Sequence, residues 1–451
     1  MSTIRLVVVG GDAAGMSAAS QAKRLAGDAL EVVALERGAY TSYSACGIPY
    51  WIAGDVGGVD ALIARSPEAH RERGIDMRMH TEATAVDLDR GTVTAYDGGR
   101  EYALGFDHLV LATGAVPVWP DLPGADAAGI HGVQTIGDGE RLLDDLAATT
   151  RPQRAVVVGG GYIGIEMAEA MVRRGLTVTV VDRAEQPMTT LDPDMSALVH
   201  EAMEGMGISV VTRTPVEDFT VAEGHVRGVT AGGAEYPADL VVLGLGVRPA
   251  TELAGQAGLP LGTSGGVRVD RRMAIRGHDG VWSAGDCVES LDRVSETWVN
   301  VPLGTHANKQ GRVAGSNIAG TYATFPGIVR TAASKVCDLE IARTGLREID
   351  ARAAGFEYVT ATVESTTRAG YFPGAAPITV KVLAEVNSGR LLGAQIVGRE
   401  DSAKRIDACA LAVWNQMSVG ELAMSDLSYA PPFSPVWDPI LIAARKASDK
   451  L

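Results

Sequence analysis

Apolar residues gather in short runs that end on glycine-rich turns, and this order occurs twice. Residues 4–9, Ile-Arg-Leu-Val-Val-Val, form an almost unbroken apolar run of the kind a fully buried parallel strand shows. Gly10-Gly11-Asp12-Ala13-Ala14-Gly15 follows, then a helix-like stretch over 16–25 and a strand over 31–35 that ends in Glu36. The second copy runs from a strand at 155–158 through Gly159-Gly160-Gly161-Tyr162-Ile163-Gly164, a helix to 174, and a strand at 177–181 closed by Asp182. In this order of elements a helix N-terminus meets a pyrophosphate and the acid accepts hydrogen bonds from a ribose. The second copy satisfies G-x-G-x-x-G, whereas in the first Asp12 stands at the second glycine. Asp182 favours a free ribose 2′-hydroxyl, hence NADH, while Arg183 beside it suits a 2′-phosphate.

Two further segments close on turns. One is 109–114, ending in Thr113-Gly114 just before a proline-bearing crossover at 117–123; the other is 281–286, ending in Gly285-Asp286. Residues 301–306 lead into a helical stretch to about 319. From about 324 the character changes. Strand-like runs at 341–344, 358–363, 378–383 and 391–397 precede a helix at 402–416, which predicts a separate α+β domain.

The chain has 451 residues and a formal charge of −15. At ~150 residues per domain, two or three domains are expected. The negative charge makes nucleic acid and anionic membrane poor general partners. No apolar run reaches the roughly 20 residues of a membrane span, and residues 4–10 are too short for a secretory core. Cys46, Cys287, Cys337 and Cys409 are scattered with no C-x-x-C pair. That fits a reducing cytoplasm and predicts neither a disulfide framework nor a metal site.

Together, G-G-D-A-A-G, A-T-G, G-G-G-Y-I-G and S-A-G-D resemble the motifs of the pyridine nucleotide–disulfide oxidoreductase family over essentially the whole chain. The resemblance implies an α/β fold with two Rossmann-type domains. FAD would be bound by 1–115 and 248–323, NAD(P)H by an insert at 116–247, with an α+β dimerisation domain at 324–451. FAD would then meet Gly10, Asp12, Ala13, Ala14, Gly15, Glu36, Arg37, Thr113, Gly114 and Asp286, the last holding the ribityl chain. NADH or NADPH would meet Gly159, Gly161, Tyr162, Ile163, Gly164, Asp182, Arg183 and Gly246. The N-terminus of the helix after residue 302, aimed at the flavin, would stabilise its reduced anion.

The sequence Thr41-Ser42-Tyr43-Ser44-Ala45-Cys46-Gly47-Ile48-Pro49-Tyr50 follows Glu36 closely. Beside a flavin fold, with a helix N-terminus to depress its pKa, Cys46 is expected to be the redox thiol. The other three cysteines read as packing residues. Glutathione reductase and lipoamide dehydrogenase relatives use two cysteines separated by four residues and a C-terminal His. Here positions 41 and 51 are Thr and Trp, and no His follows His306.

The resemblance therefore narrows to a single-cysteine branch of coenzyme A-disulfide reductases, NADH oxidases and NADH peroxidases. Ala13 stands where the peroxidases place a His. In the reductases tyrosines supply protons, which points to Tyr371 and Tyr429, each reaching across to the other subunit's Cys46. Gln21, Arg24, Ser42 and Asn308 match residues that contact coenzyme A, although Ala45 and Trp437 replace an Asn and a Lys of other members. The implied function is NAD(P)H-dependent reduction of low-molecular-weight disulfides, coenzyme A disulfide or persulfide foremost, in a cytoplasmic homodimer with shared active sites. The alternatives are an NADH oxidase reducing oxygen and a non-turnover flavoprotein that senses NADH.

Overall fold

A computed structural model describes residues 4–148 and 153–451. The first apolar run becomes strand Ile4–Val9, in which Leu6, Val7 and Val8 are wholly buried. It lies in a five-stranded parallel sheet with His108–Leu111 and Val281–Ser283 on one side and Leu30–Leu35 and Ile75–Arg78 on the other. Val9 pairs with both Leu35 and Leu111, and Leu111 with Ser283, so the carboxyl ends of four strands stop at one level. Ligands of open α/β sheets sit at that edge. The helix expected over 16–25 spans Ala13–Ala26, with Asp12 at its cap position, because Ala13 and Ala14 extend it one turn earlier.

Ala13–Ala26 packs closely on helix Gly304–Ile318. A Cβ added at Gly311 would lie 2.1 Å from the Ala14 carbonyl oxygen, and one at Gly315 would lie 2.4 Å from that of Ala18. Two backbones can approach so closely only where one side carries glycine. This contact fixes the start of Gly304–Ile318 at the carboxyl edge of the first sheet.

The second parallel sheet has the order Ser209–Val211, Thr177–Val181, Arg154–Val158, Leu240–Leu243, Ile130–Gly132. Two short strands, Ala115–Pro117 and Val247–Pro249, pair antiparallel where the chain enters and leaves this fold. Three-stranded meanders accompany the two sheets: Glu82–Asp87, Thr92–Tyr96 and Glu101–Gly105 in one, Val216–Ala222, His225–Ala231 and Ala234–Pro237 in the other.

The C-terminal region is an antiparallel sheet of five strands in the order Ala332–Val336, Leu339–Gly345, Leu391–Gly398, Pro377–Glu385, Tyr358–Thr366. The helix expected at 402–416 is shorter, Ile406–Trp414, after a 3₁₀ turn at Ala403–Arg405. A last helix, Pro439–Ser448, begins where the Asp438 side chain accepts from Ile440 N–H. Among the described residues no helix is long and apolar enough to cross a membrane.

Candidate active site

The two glycine turns have the same internal geometry. Gly10 has φ 108° and Gly159 φ 98°, left-handed values that a side chain would strain. A Cβ at Gly15 would lie 1.9 Å from the Gly10 carbonyl oxygen, and one at Gly164 1.9 Å from that of Gly159. Both helices therefore start pressed against their strands, with amides turned to the sheet edge.

The acids close the turns in parallel fashion. Glu36 accepts from Gly11 N–H at 2.8 Å and Gly38 N–H at 2.7 Å; Asp182 accepts from Gly160 N–H at 2.6 Å and Ala184 N–H at 2.7 Å. A carboxylate offers about four lone-pair directions, so each retains capacity for a ribose.

Both turns open into one cavity of about 2130 Å³. Gly10, Asp12, Ala13, Ala14, Glu36, Arg37, Thr113, Gly114 and Asp286 line its first half, and Gly159, Gly161, Tyr162, Ile163, Asp182, Arg183 and Gly246 its second. Gly15 and Gly164 sit behind the lining as buried helix residues. Thr113 and Gly114 brace the crossover: the Thr113 hydroxyl donates to the Ala250 carbonyl at 2.5 Å, and Ala250 N–H donates to Gly114 at 3.0 Å. Asp286 accepts a bond from the Leu303 backbone at the start of Gly304–Ile318, and burial lifts its pKa to about 6. Asp12 also rises to about 6, from burial first and then repulsion by Glu36 and Asp286.

Cys46 lies in the short turn Ala45–Gly47 that leads into helix Ile48–Ala53, and its side chain opens on the same cavity. The expected depression of its pKa is not found. Desolvation, then the negative charges of Glu166 and Asp286, push the thiol above its ordinary value. A six-residue helix start is too small a dipole to outweigh them.

Cys287 and Cys409 are buried in the cores, and Cys337 is half-buried. Tyr371 and Tyr429 are 79% and 47% exposed, close enough for Tyr371 to act on Tyr429, and absent from the lining of this cavity within one chain.

Of the four residues expected to contact substrate, Gln21, Arg24 and Asn308 lie along the packed pair of helices Ala13–Ala26 and Gly304–Ile318, and Ser42 lies in the loop before Cys46. Asn308 lines the cavity and accepts from the Ser17 hydroxyl at 2.8 Å. Gln21 is buried between the two packed helices, its amide donating to Ser316 at 2.8 Å and its oxygen accepting from Arg24 at 2.6 Å. Ser42, at φ 51°, bonds to His70 Nε2 at 2.9 Å.

Sequence reasoning missed Glu166. It projects from helix Tyr162–Arg173 into the cavity, accepts from the Ser334 hydroxyl at 2.6 Å, and is raised by burial to about 7. Tyr50, one turn after Cys46, lines the same wall, and the Lys335 ammonium stands 5.6 Å above its ring. The signal was present: two acids, Glu166 and Glu169, interrupt an otherwise apolar helix.

At Gly161 an added Cβ would meet nothing nearer than the Gly244 oxygen at 3.9 Å, and the Tyr162 hydroxyl is buried without a partner. These features fit a dinucleotide in the second half, as Asp286 and the Gly10–Gly15 turn fit one in the first.

The family model described as pyridine nucleotide-disulphide oxidoreductase matches residues 4–311, and the corresponding dimerisation domain matches 331–439. The chain is 38% identical over 451 residues to an NADH oxidase of Methanocaldococcus jannaschii, covering 99% of each. It is 36% identical to the NAD(P)H coenzyme A polysulfide/persulfide reductase of Pyrococcus horikoshii, covering 98% of each. The structure of a NAD-dependent persulfide reductase from A. fulgidus superposes with a TM-score of 0.96 at 39% identity, over 99% of this chain and 83% of that one.

Proposed function

This chain belongs to the pyridine nucleotide-disulphide oxidoreductase family, and within it we propose a reductase of coenzyme A-type disulfides or persulfides that works through Cys46. It is a flavoprotein oxidoreductase using FAD and NAD(P)H. The observation that carries the finer reading is one accessible cysteine, Cys46, in the lining of the cavity onto which both glycine turns open, the other three cysteines lying outside that lining.

The overall reaction is NAD(P)H + H⁺ + RSSR → NAD(P)⁺ + 2 RSH. FAD, when bound, would supply the two-electron relay between the nicotinamide and sulfur. The first glycine turn, Glu36 and Asp286 would hold it, and the second turn with Asp182 would hold the nicotinamide nucleotide. The Cys46 thiolate attacks one sulfur of the disulfide, the S–S bond breaks, and the first thiol leaves with a proton. Reduction of the resulting mixed disulfide releases the second. Tyr371 or Tyr429 of the partner subunit supplies the proton. The exposure of this pair, with Phe433 and Val436 exposed beside it, suits a surface covered by a second copy.

Oxygen reduction is the second reading, favoured by the oxidase from Methanocaldococcus jannaschii. Steady-state assays of several disulfides, in air and without oxygen, separate the two. Disulfide-dependent NADH oxidation under argon supports the reductase, and turnover only in air replaces it with the oxidase.

A further inference from the structure

An ion cluster centred on a buried lysine links the C-terminal sheet to the segment that lies on the second glycine turn. Lys381, on strand Pro377–Glu385, is 3% exposed, and its Nζ lies 2.6 Å from Glu348, 2.7 Å from Asp194 and 3.2 Å from Asp192. Asp192, 2% exposed, also accepts from Gln395 Nε2 at 2.7 Å and Glu348 N–H at 2.9 Å. The three carboxylates lie close enough to suggest a cation site, but the ammonium already fills their centre.

Next to the cluster, Arg347 donates to the Thr189 carbonyl and pairs with Asp350 at 2.8 Å. Lys381, Gln395, Glu348 and Arg347 come from the C-terminal region, and Thr189, Asp192 and Asp194 from the second fold.

The segment so held, 187–192, lies directly on the second glycine turn. Met188 N–H donates to the Gly160 carbonyl at 2.7 Å, a Cβ at Gly160 would sit 3.0 Å from Pro187 Cβ, and Thr189 and Thr190 line the cavity beside Asp182. The buried Lys381–Asp192 pair at the centre of the cluster is a poor source of net stability, since desolvation offsets most of its attraction. What it does supply is a defined position for the groups it joins.

We propose that Lys381 and Arg347 are positioning residues for the nicotinamide nucleotide. They press segment 187–192 onto the Gly159–Gly161 turn and thereby make nucleotide affinity a property of the C-terminal sheet as well as of the second fold. This rests on the reading that the second turn binds NAD(P)H.

The test uses the FAD-loaded enzyme with Lys381→Met and, separately, Arg347→Met. Anaerobic reduction of the flavin is followed against NADH concentration. Both variants are expected to raise the NADH dissociation constant on the order of ten-fold, with the limiting rate of flavin reduction and the FAD content unchanged. If Lys381→Met fails to fold, Arg347→Met, on a partly exposed side chain, decides alone. A lower melting temperature with wild-type NADH affinity in both variants overturns the proposal. Gly161→Ala is run beside them: if it weakens NADH while the two variants do not, only the brace is refuted. If none of the three changes NADH affinity, the second turn is not the nucleotide site.

Discussion

Gly161 and Gly164 lie three residues apart in one turn, yet alanine at each should fail differently. At Gly164 the added Cβ would be 1.9 Å from the Gly159 carbonyl oxygen and 3.0 Å from its carbon. Ordinary contact needs about 3.5 Å, so helix Tyr162–Arg173 must back away from its strand. Overpacking of that kind costs about 1–3 kcal/mol, and the helix amides retreat from any bound pyrophosphate. At Gly161 the nearest atom is 3.9 Å away and φ is −76°, so alanine fits the protein without strain. Only a ligand lying on the turn would meet the new methyl. Gly161→Ala should therefore keep its melting temperature, corresponding to a change within about 0.5 kcal/mol, and weaken NADH by ten-fold or more, equivalent to at least ~1.4 kcal/mol. Gly164→Ala should lose both stability and NADH affinity. FAD should stay bound in both, since the Gly10–Gly15 turn is untouched. Thermal unfolding, FAD content and anaerobic NADH titration together provide the readout. Wild-type NADH affinity in Gly161→Ala, or loss of yellow colour from either variant with NADH binding intact, would refute the assignment of the two turns.

Cys46→Ser is expected to abolish disulfide reduction while flavin reduction by NADH stays fast, and wild-type disulfide turnover would remove Cys46 from the mechanism. Glu166→Gln removes a negative charge that helps hold the Cys46 thiol above its ordinary pKa, so alkylation of Cys46 at neutral pH should speed up several-fold by the ordinary scale of such neighbours; an unchanged alkylation pH profile counts against the contact. NADH should be preferred to NADPH because Asp182 is fixed on Gly160 and Ala184, and competition kinetics favouring NADPH would give the ribose to Arg183. His70 is fully buried, and burial with Arg65 and Arg73 lowers its pKa from 6.5 to about 4. The neutral ring is thus the form the fold favours: its contribution is whole above pH 6.5 and is lost as the pH falls toward 4. Unfolding measured across that window should show an acid loss that His70→Gln reduces, and an identical pH dependence in the variant would exclude His70 as its source.

Local order made much of the fold legible. Each glycine turn stands between an apolar strand and a helix, and the acids at 36 and 182 lie one strand further on, so the motif is complete within ~35 residues. Contacts from distant segments were not visible in this way. Ala332–Val336 has no large apolar residue before Val336 and is a strand because it pairs with Leu339–Gly345. Cys46 is desolvated, and Glu166 comes to act on it, only after the second fold docks on the first; burial foremost, with Glu166 adding to it, raises the thiol where the neighbouring helix start suggested a depression. The bond from Gln21 to Ser316, nearly three hundred residues further along the chain, was likewise not visible in the local pattern. The pairing of Lys381 with Asp192 and Asp194 spans almost two hundred residues and has no trace in the local pattern.

The paired strands Ala115–Pro117 and Val247–Pro249 have an evolutionary reading. Pro117 lies opposite Val247 and Ala115 opposite Pro249, so the second fold is a contiguous insert whose two ends stand side by side. Such an insert is a transplantable cassette. On the proposed assignment of the second turn to NAD(P)H, cutting at this ribbon and grafting in the corresponding segment of another member should exchange the electron donor while leaving the first sheet and the Cys46 loop intact. The Lys381 cluster limits that freedom, because a graft without partners for Lys381 and Arg347 would arrive unbraced. Lineages that change nucleotide preference should therefore change residues on both sides of this contact together.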